Sequence, residues 1–106
     1  MATGILGTAD LALTTNTTLY TVPADTFTVA NVTICNRGAT AVTVRLALSA
    51  TGTPANSEYI EYDVSIAAKG VLERTGLVLD ATKNIVVYSS TTGVNAIAYG
   101  IETSTV

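Results

Sequence analysis

The clearest pattern along the chain is period-two alternation, and it is densest between Phe27 and Ser49. Val42, Val44, Leu46 and Leu48 share one parity, with Thr43, Arg45, Ala47 and Ser49 on the other. Side chains of a strand alternate between faces, so four aliphatics point to a core and a charge points to solvent. The segment before it offers Val32 and Ile34 to the same kind of core, with Asn31 and Thr33 opposite. Asn36-Arg37-Gly38-Ala39-Thr40 between them has the residues of a turn, so the stretch reads as a hairpin of two long strands.

The rest of the chain repeats this grammar at shorter length. Met1 to Thr8 is Gly- and Thr-rich, with Ile5 and Leu6 its large apolar pair, and reads as an N-terminal arm docked on a neighbour or disordered. Asp10 to Thr15 and Thr18 to Val22 are short strands, the second closed by Pro23, which cannot donate to a ladder. Ala50 to Ser57 is a loop holding Gly52, Pro54 and Asn56. In Glu58 to Ile66, Ile60, Tyr62, Val64 and Ile66 alternate with Tyr59, Glu61, Asp63 and Ser65. A hairpin-sized turn at Lys69-Gly70 leads to Val71–Leu79, which Gly76 bends. Ile85–Ser90 and Val94–Glu102 finish the series, the last with Ile97, Tyr99 and Ile101 on one face and Ala96, Ala98 and Gly100 on the other.

No helical period survives anywhere, and turn signals recur every 8–12 residues or so. The expected fold is all-β: a single β-sandwich of about eight antiparallel strands, jelly-roll or immunoglobulin-like. The sandwich spans residues 9–102, after an arm over 1–8 and before a C-terminal tail over 103–106. The inward set is Val32, Ile34, Val42, Val44, Leu46, Leu48, Ile60, Val64, Ile66, Val87 and Ile97.

Composition changes the picture at one point. Charged residues are only 12% of the chain, against about 25% in a typical soluble domain. Thr and Ala take their place. Two readings stay open: a neutral, Thr-coated sheet surface, or a surface hidden in an assembly, since interface cores are depleted of charge. The net charge is −3, and the five basic residues are scattered. No basic stripe exists to neutralise phosphates, so a nucleic-acid partner is not expected. No apolar run approaches a membrane span, and the start lacks the features of a secretory signal. The two sequon matches, at Asn16 and Asn31, therefore read as chance.

Candidate chemistry is sparse. The chain has no His, which excludes Ser-His-Asp and Cys-His sites. Its single cysteine, Cys35, reads as a small buried apolar residue. No metal-ligand spacing and no nucleotide-binding motif occurs, so no cofactor is expected. One group of carboxylates remains: Glu58, Glu61 and Asp63, with Glu73 across the Lys69-Gly70 turn. Glu61 and Asp63 share a parity, but an acid/base pair needs a cleft with substrate-binding aromatics, and Trp is absent. Cross-strand pairing with Arg45 and Arg74 is the simpler reading. Tyr59, of Glu61's parity, reads as a rim or interface tyrosine or part of a sugar-binding surface. Ile5, Leu6, Tyr59 and Glu61 are thus the candidate interface residues, and no catalytic or metal-binding residue is expected.

Three runs carry a resemblance: Leu19-Tyr20-Thr21-Val22-Pro23-Ala24, Val29-Ala30-Asn31-Val32-Thr33-Ile34-Cys35-Asn36 and Ala41-Val42-Thr43-Val44. Together with Glu58-Tyr59-Ile60-Glu61-Tyr62-Asp63, Gly70–Gly76 and Tyr99-Gly100-Ile101-Glu102, they resemble small β-sandwich virion structural proteins of tailed bacteriophages, cyanophages especially. Such families often carry Gly after the Pro-Ala, where this chain has Asp25. The resemblance implies a non-enzymatic particle component, assembled in the host cytoplasm. It implies two partners: other copies of the chain, and a larger phage structural protein of capsid or tail. Capsid decoration, or cement, is the leading placement. The alternative is a tail, baseplate or fibre component that binds a receptor or carbohydrate through Tyr59 and Tyr62.

Overall fold

A computed structural model describes residues 2–106. Eight strands follow one another: β1 (Thr3–Asp10), β2 (Thr17–Thr21), β3 (Thr26–Asn36), β4 (Val42–Ser49), β5 (Tyr59–Ile66), β6 (Val71–Leu79), β7 (Asn84–Ser89) and β8 (Val94–Ser104). They form two four-stranded antiparallel sheets, ordered β1-β8-β3-β6 and β2-β7-β4-β5. These are called the β8 sheet and the β7 sheet below.

The connections settle the topology. Every link except β4–β5 carries the chain from one sheet to the other. An immunoglobulin sandwich instead keeps strands such as A and B side by side. Eight strands in two sheets with these crossings make a jelly roll. The expected hairpin at 27–49 is therefore an arch. β3 and β4 both turn apolar faces to one core, but across the sandwich rather than in one ladder. The Lys69-Gly70 turn is likewise an arch between β5 and β6.

Asn36 fixes both arches. Its side chain is fully buried, and its Nδ2 donates to the carbonyls of Thr40 (2.8 Å), Ala67 (3.1 Å) and Ile66 (3.3 Å). Its Oδ1 accepts from the Gly38 N–H at 2.9 Å. One amide thus ties the β3–β4 loop to the end of β5 and the turn after it.

The core lies between the sheets. Val32, Ile34, Val42, Val44, Leu46, Ile66 and Val87 are buried there, with Leu48, Ile60 and Val64 packed against them. Ile97 is the exception to the expected set. β8 pairs with β3 in unbroken register, Val32 opposite Ala98 and Ile34 opposite Ala96. Since β3 already presents Val32 and Ile34 inward, that register sends Ala96 and Ala98 inward too, and Ile97 outward.

Of the arm expected over residues 1–8, Met1 lies outside the described residues and Thr3 to Thr8 belong to a strand. Thr3 to Asp10 forms a ladder with Ile101 to Asn95 of β8, with a bulge between Ile5 and Gly7. Gly7 is where this edge meets the other sheet: a Cβ there would stand 2.2 Å from the Leu19 carbonyl oxygen of β2. The tail expected over 103–106 is also partly strand, since β8 runs to Ser104. Asp25, at the resemblance's point of difference, has φ 54°, the left-handed region that favours glycine and that Asp tolerates.

Edge and centre differ in regularity. The central pairs β3–β8 and β4–β7 run without a register shift. All four edge pairings contain at least one: β1 at Ile5/Gly7, β2 at Thr18/Tyr20, β6 opposite Ala30/Val32, and β5 two, opposite Val44/Leu46 and Leu46/Ala47. Gly76, with φ 68°, sits in the β6 bulge and donates its N–H to Asn31 Oδ1 at 3.0 Å. Bulged edges twist away from incoming strands, which blunts them as templates for edge-to-edge pairing.

Candidate functional site: two outer sheet faces

The four carboxylates do not assemble. Asp63 has φ 52° in the β5 bulge, and the extra residue breaks the alternation that put it on Glu61's face. Glu61 pairs with Arg74 of β6 at 2.9 Å and ties the two sheets along their β5/β6 rim. Asp63 takes Arg45 on the outer face of the β7 sheet, at 2.7 Å to Nε and 3.4 Å to Nη2. Glu58 and Glu73 lie elsewhere. Both Arg partners expected from the sequence are the partners found.

Arg45 is the centre of the β7 sheet's outer face. Its guanidinium lies over the Tyr62 ring at 4.3 Å and the Tyr88 ring at 4.4 Å. Tyr59 meets Tyr62 edge to face, with centroids 4.9 Å apart. Carboxylate and rings together favour the charged guanidinium, and its pKa is raised, chiefly by the Asp63 hydrogen bond. Tyr62 is exposed and Tyr59 half-buried.

A loop covers another part of that face. Glu58, in a short 3₁₀ turn (Asn56–Glu58), accepts from Ser49 Oγ (2.9 Å), Ala50 N (3.0 Å) and Ala55 N (2.8 Å). Those bonds hold its pKa below the usual carboxylate value, the backbone bond from Ala55 most of all. They pin 50–55 so that Gly52 lies against the Thr18 hydroxyl of β2. Val86 and Ala47, between Thr18 and Tyr59 in the register, are buried although they point away from the core. The sequence reading took Glu58 for one of a carboxylate cluster. Only the Glu58 half of a capping arrangement is present, since the N-cap is Ala55, and Ala-x-x-Glu carries no capping signature in the sequence.

Among the described residues, nothing covers the outer face of the β8 sheet in this way. Ile5 (71% exposed), Val78 (65%), Val71 (54%) and Ile101 (50%) project from it, with Phe27 and Val29 over a third exposed. Ile97 and Tyr99 add to the same face, between Ile5 and Thr8 of β1 and Asn31 and Thr33 of β3. Glu73 is the one charge in the body of the face; Asp10, at its end, is paired with Arg37 at 2.6 Å. Cys35, expected to be buried, is half-buried here as a free thiol. Of the candidate interface residues, Ile5 is therefore on an open surface. Leu6, its neighbour across the bulge, packs against the core instead. A shallow groove of about 460 Å³ opens at the end of this sheet beside Arg37 and Asp10.

A polar pair bridges the two sheets inside the sandwich. Tyr20 of β2 crosses to the β8 sheet, where its hydroxyl shares a hydrogen bond with Thr28 Oγ1 at 2.9 Å and donates to Glu102. Burial first, and Glu102 second, push the Tyr20 pKa up to about 12. The Tyr20 bond, and then the Ala2 N–H at 2.9 Å, hold Glu102 below its ordinary value.

Among the described residues no group of three His, Cys, Asp or Glu is placed to hold a metal, and no helix is long and apolar enough to cross a membrane. No family model matches the chain, and no curated protein matches it.

Proposed function

We propose that this protein is a non-enzymatic structural component of a phage particle, most specifically a capsid decoration or cement protein. The observation that carries the reading is the uncovered apolar face of the β8 sheet on a chain with 12% charge. An antiparallel sheet with solvent on one side ordinarily alternates apolar-in and polar-out. β3 and β8 carry large apolar residues on the outward parity as well, which suits a surface covered by protein. Jelly rolls recur in viral capsid and lectin domains, so the fold is compatible with this use, though fold alone assigns no function. The separated, ion-paired carboxylates support a role without acid/base chemistry.

The Tyr59–Tyr62 pair favours a second reading, a tail, baseplate or fibre component that binds a receptor or carbohydrate. Against it, Arg45 already occupies a face of Tyr62 and of Tyr88, the surfaces on which a sugar would stack. Immunogold microscopy of tailed phage particles containing the protein separates the two. Gold over the head is the expected result. Gold confined to the tail would replace the first reading with the second, and particles without gold would remove both.

A further inference from the structure

The blunted edges and the open face bear on how copies of this chain meet. We propose that two copies associate through the outer faces of their β8 sheets, packed sheet on sheet around Ile5, Tyr99, Ile101 and Val78. This deepens the assembly part of the reading above and does not depend on where on a particle the protein sits.

Extent is the first argument. Four strands at about 4.8 Å spacing and some 28 Å of paired length give a footprint of about 550 Å² in projection. Side-chain relief raises the accessible area toward the ~800 Å² per partner of a standard interface. Shape is the second. A sheet face is best matched by another sheet face, with strands roughly aligned and about 10 Å between the layers. A second copy brings such a face with the same residues, and an isologous contact needs only that one patch.

Charge is the third argument. The chain is acidic at −3, so copies repel at long range. The body of this face, however, carries only Glu73, on the outer strand β6. Copies stacked here bring few like charges together. The β7 sheet is a poorer candidate, because its outer face is occupied by its own loop and by the Arg45 cluster. Edge pairing is disfavoured by the four bulged edges.

The test is sedimentation equilibrium of the purified chain at about 100 μM, well above the Kd of a micromolar dimer. The parent is expected to sediment as a dimer or larger species. Ile101→Lys and Val78→Lys each place a charge in the contact and should weaken association roughly tenfold or more. Ser65→Lys, on the opposite sheet's outer face, should leave it unchanged. Circular dichroism checks each variant for the parent's β signal. If Ile101→Lys loses that signal, Val78→Lys, farther from the centre of the sheet, decides the matter. A monomeric parent, association unaltered by the face substitutions, or an equal loss with Ser65→Lys would each overturn the proposal. The particle-labelling result stands apart from all of these.

Discussion

The two outer faces of the sandwich are made of similar strands and finished differently. On the β7 sheet, the chain spends a loop, an arginine and three tyrosines on covering its own surface. On the β8 sheet it spends none, and leaves Ile5, Val78 and Ile101 at least half exposed. The first face is built for the monomer. Its groups find their partners inside the same chain, and removing one leaves another unsatisfied. The second face has no internal partner to lose. The contrast teaches that exposed aliphatics here are concentrated on one sheet face, although Tyr62 and Leu13, beside the other sheet, are also over half exposed.

Substitutions can sharpen that contrast. Leu46 lies between the sheets and is fully buried, so Leu46→Ala undermines both faces at once. It should cost about 2–5 kcal/mol in urea unfolding, out of a total of about 5–15. Ser49→Ala acts on one face only. It removes the buried hydroxyl that Glu58 and the Thr51 N–H share, and should cost about 1–2 kcal/mol. Hydrogen exchange at Ala50, Thr51 and Ala55 should quicken, while β3 amides stay protected. Uniform loss of protection would show that the two faces are not independent.

Changes of pH probe the same division. Glu58 and Glu102 both have depressed pKa values. Their stabilisation is fully present above the ordinary value of 4.5 and is lost as pH falls below it through the lower folded values. The melting temperature should drop in that range, with the 50–55 loop the first segment released. Tyr20 has the opposite sign. Its folded pKa is raised, so its contribution is intact below 10 and disappears between 10 and about 12. Tyr20→Phe should remove the alkaline step and also shrink the acid one, since the Tyr20 bond is the chief cause of Glu102's depressed value, leaving mainly the part due to Glu58. The smallest effect belongs to the open face. Val78→Thr should change monomer stability by no more than about 0.5 kcal/mol, because no packing is lost. A cost comparable to that of Ser49→Ala would mean this face is already supported from within.

Most strands and most of the core were legible in the sequence, because period-two alternation reports which side of a strand is apolar. It does not report which sheet a strand joins. β3 and β4 look alike whether they face each other across a core or lie side by side, so the Asn36 arch read as a hairpin. A bulge defeated the parity argument at Asp63, which it separates from Glu61. Ile5 and Leu6, read together as the apolar pair of an arm, part to opposite sides because β1 is a strand and neighbouring side chains alternate. β1 itself was hidden by Gly4 and Gly7, which weaken the strand signal although the close approach to Leu19 requires the second of them. Size misled at β8, where the alanines go inward because β3's register leaves no choice. Of the site, the pairing of Arg45 and Arg74 with carboxylates was readable from position alone. The clasp of Glu58 forms in a 3₁₀ turn, and the aromatic stack on Arg45 depends on the β5 bulge; alternation encodes neither.

The place of β8 between β1 and β3 has a consequence for the order of events during synthesis. The strand that joins the two halves of its sheet leaves the ribosome after the other seven. Until Val94–Ser104 emerges, β1 has no ladder partner and β3 offers its longest, unbulged flank, Thr26–Asn36, to whatever strand arrives first. The bulges that guard the finished edges do not guard that flank. Non-local pairing of this kind folds slowly, and exposed strand edges are where nascent chains aggregate. Chains stalled or truncated before Val94 should therefore accumulate in the insoluble fraction, while the full-length protein remains dispersed.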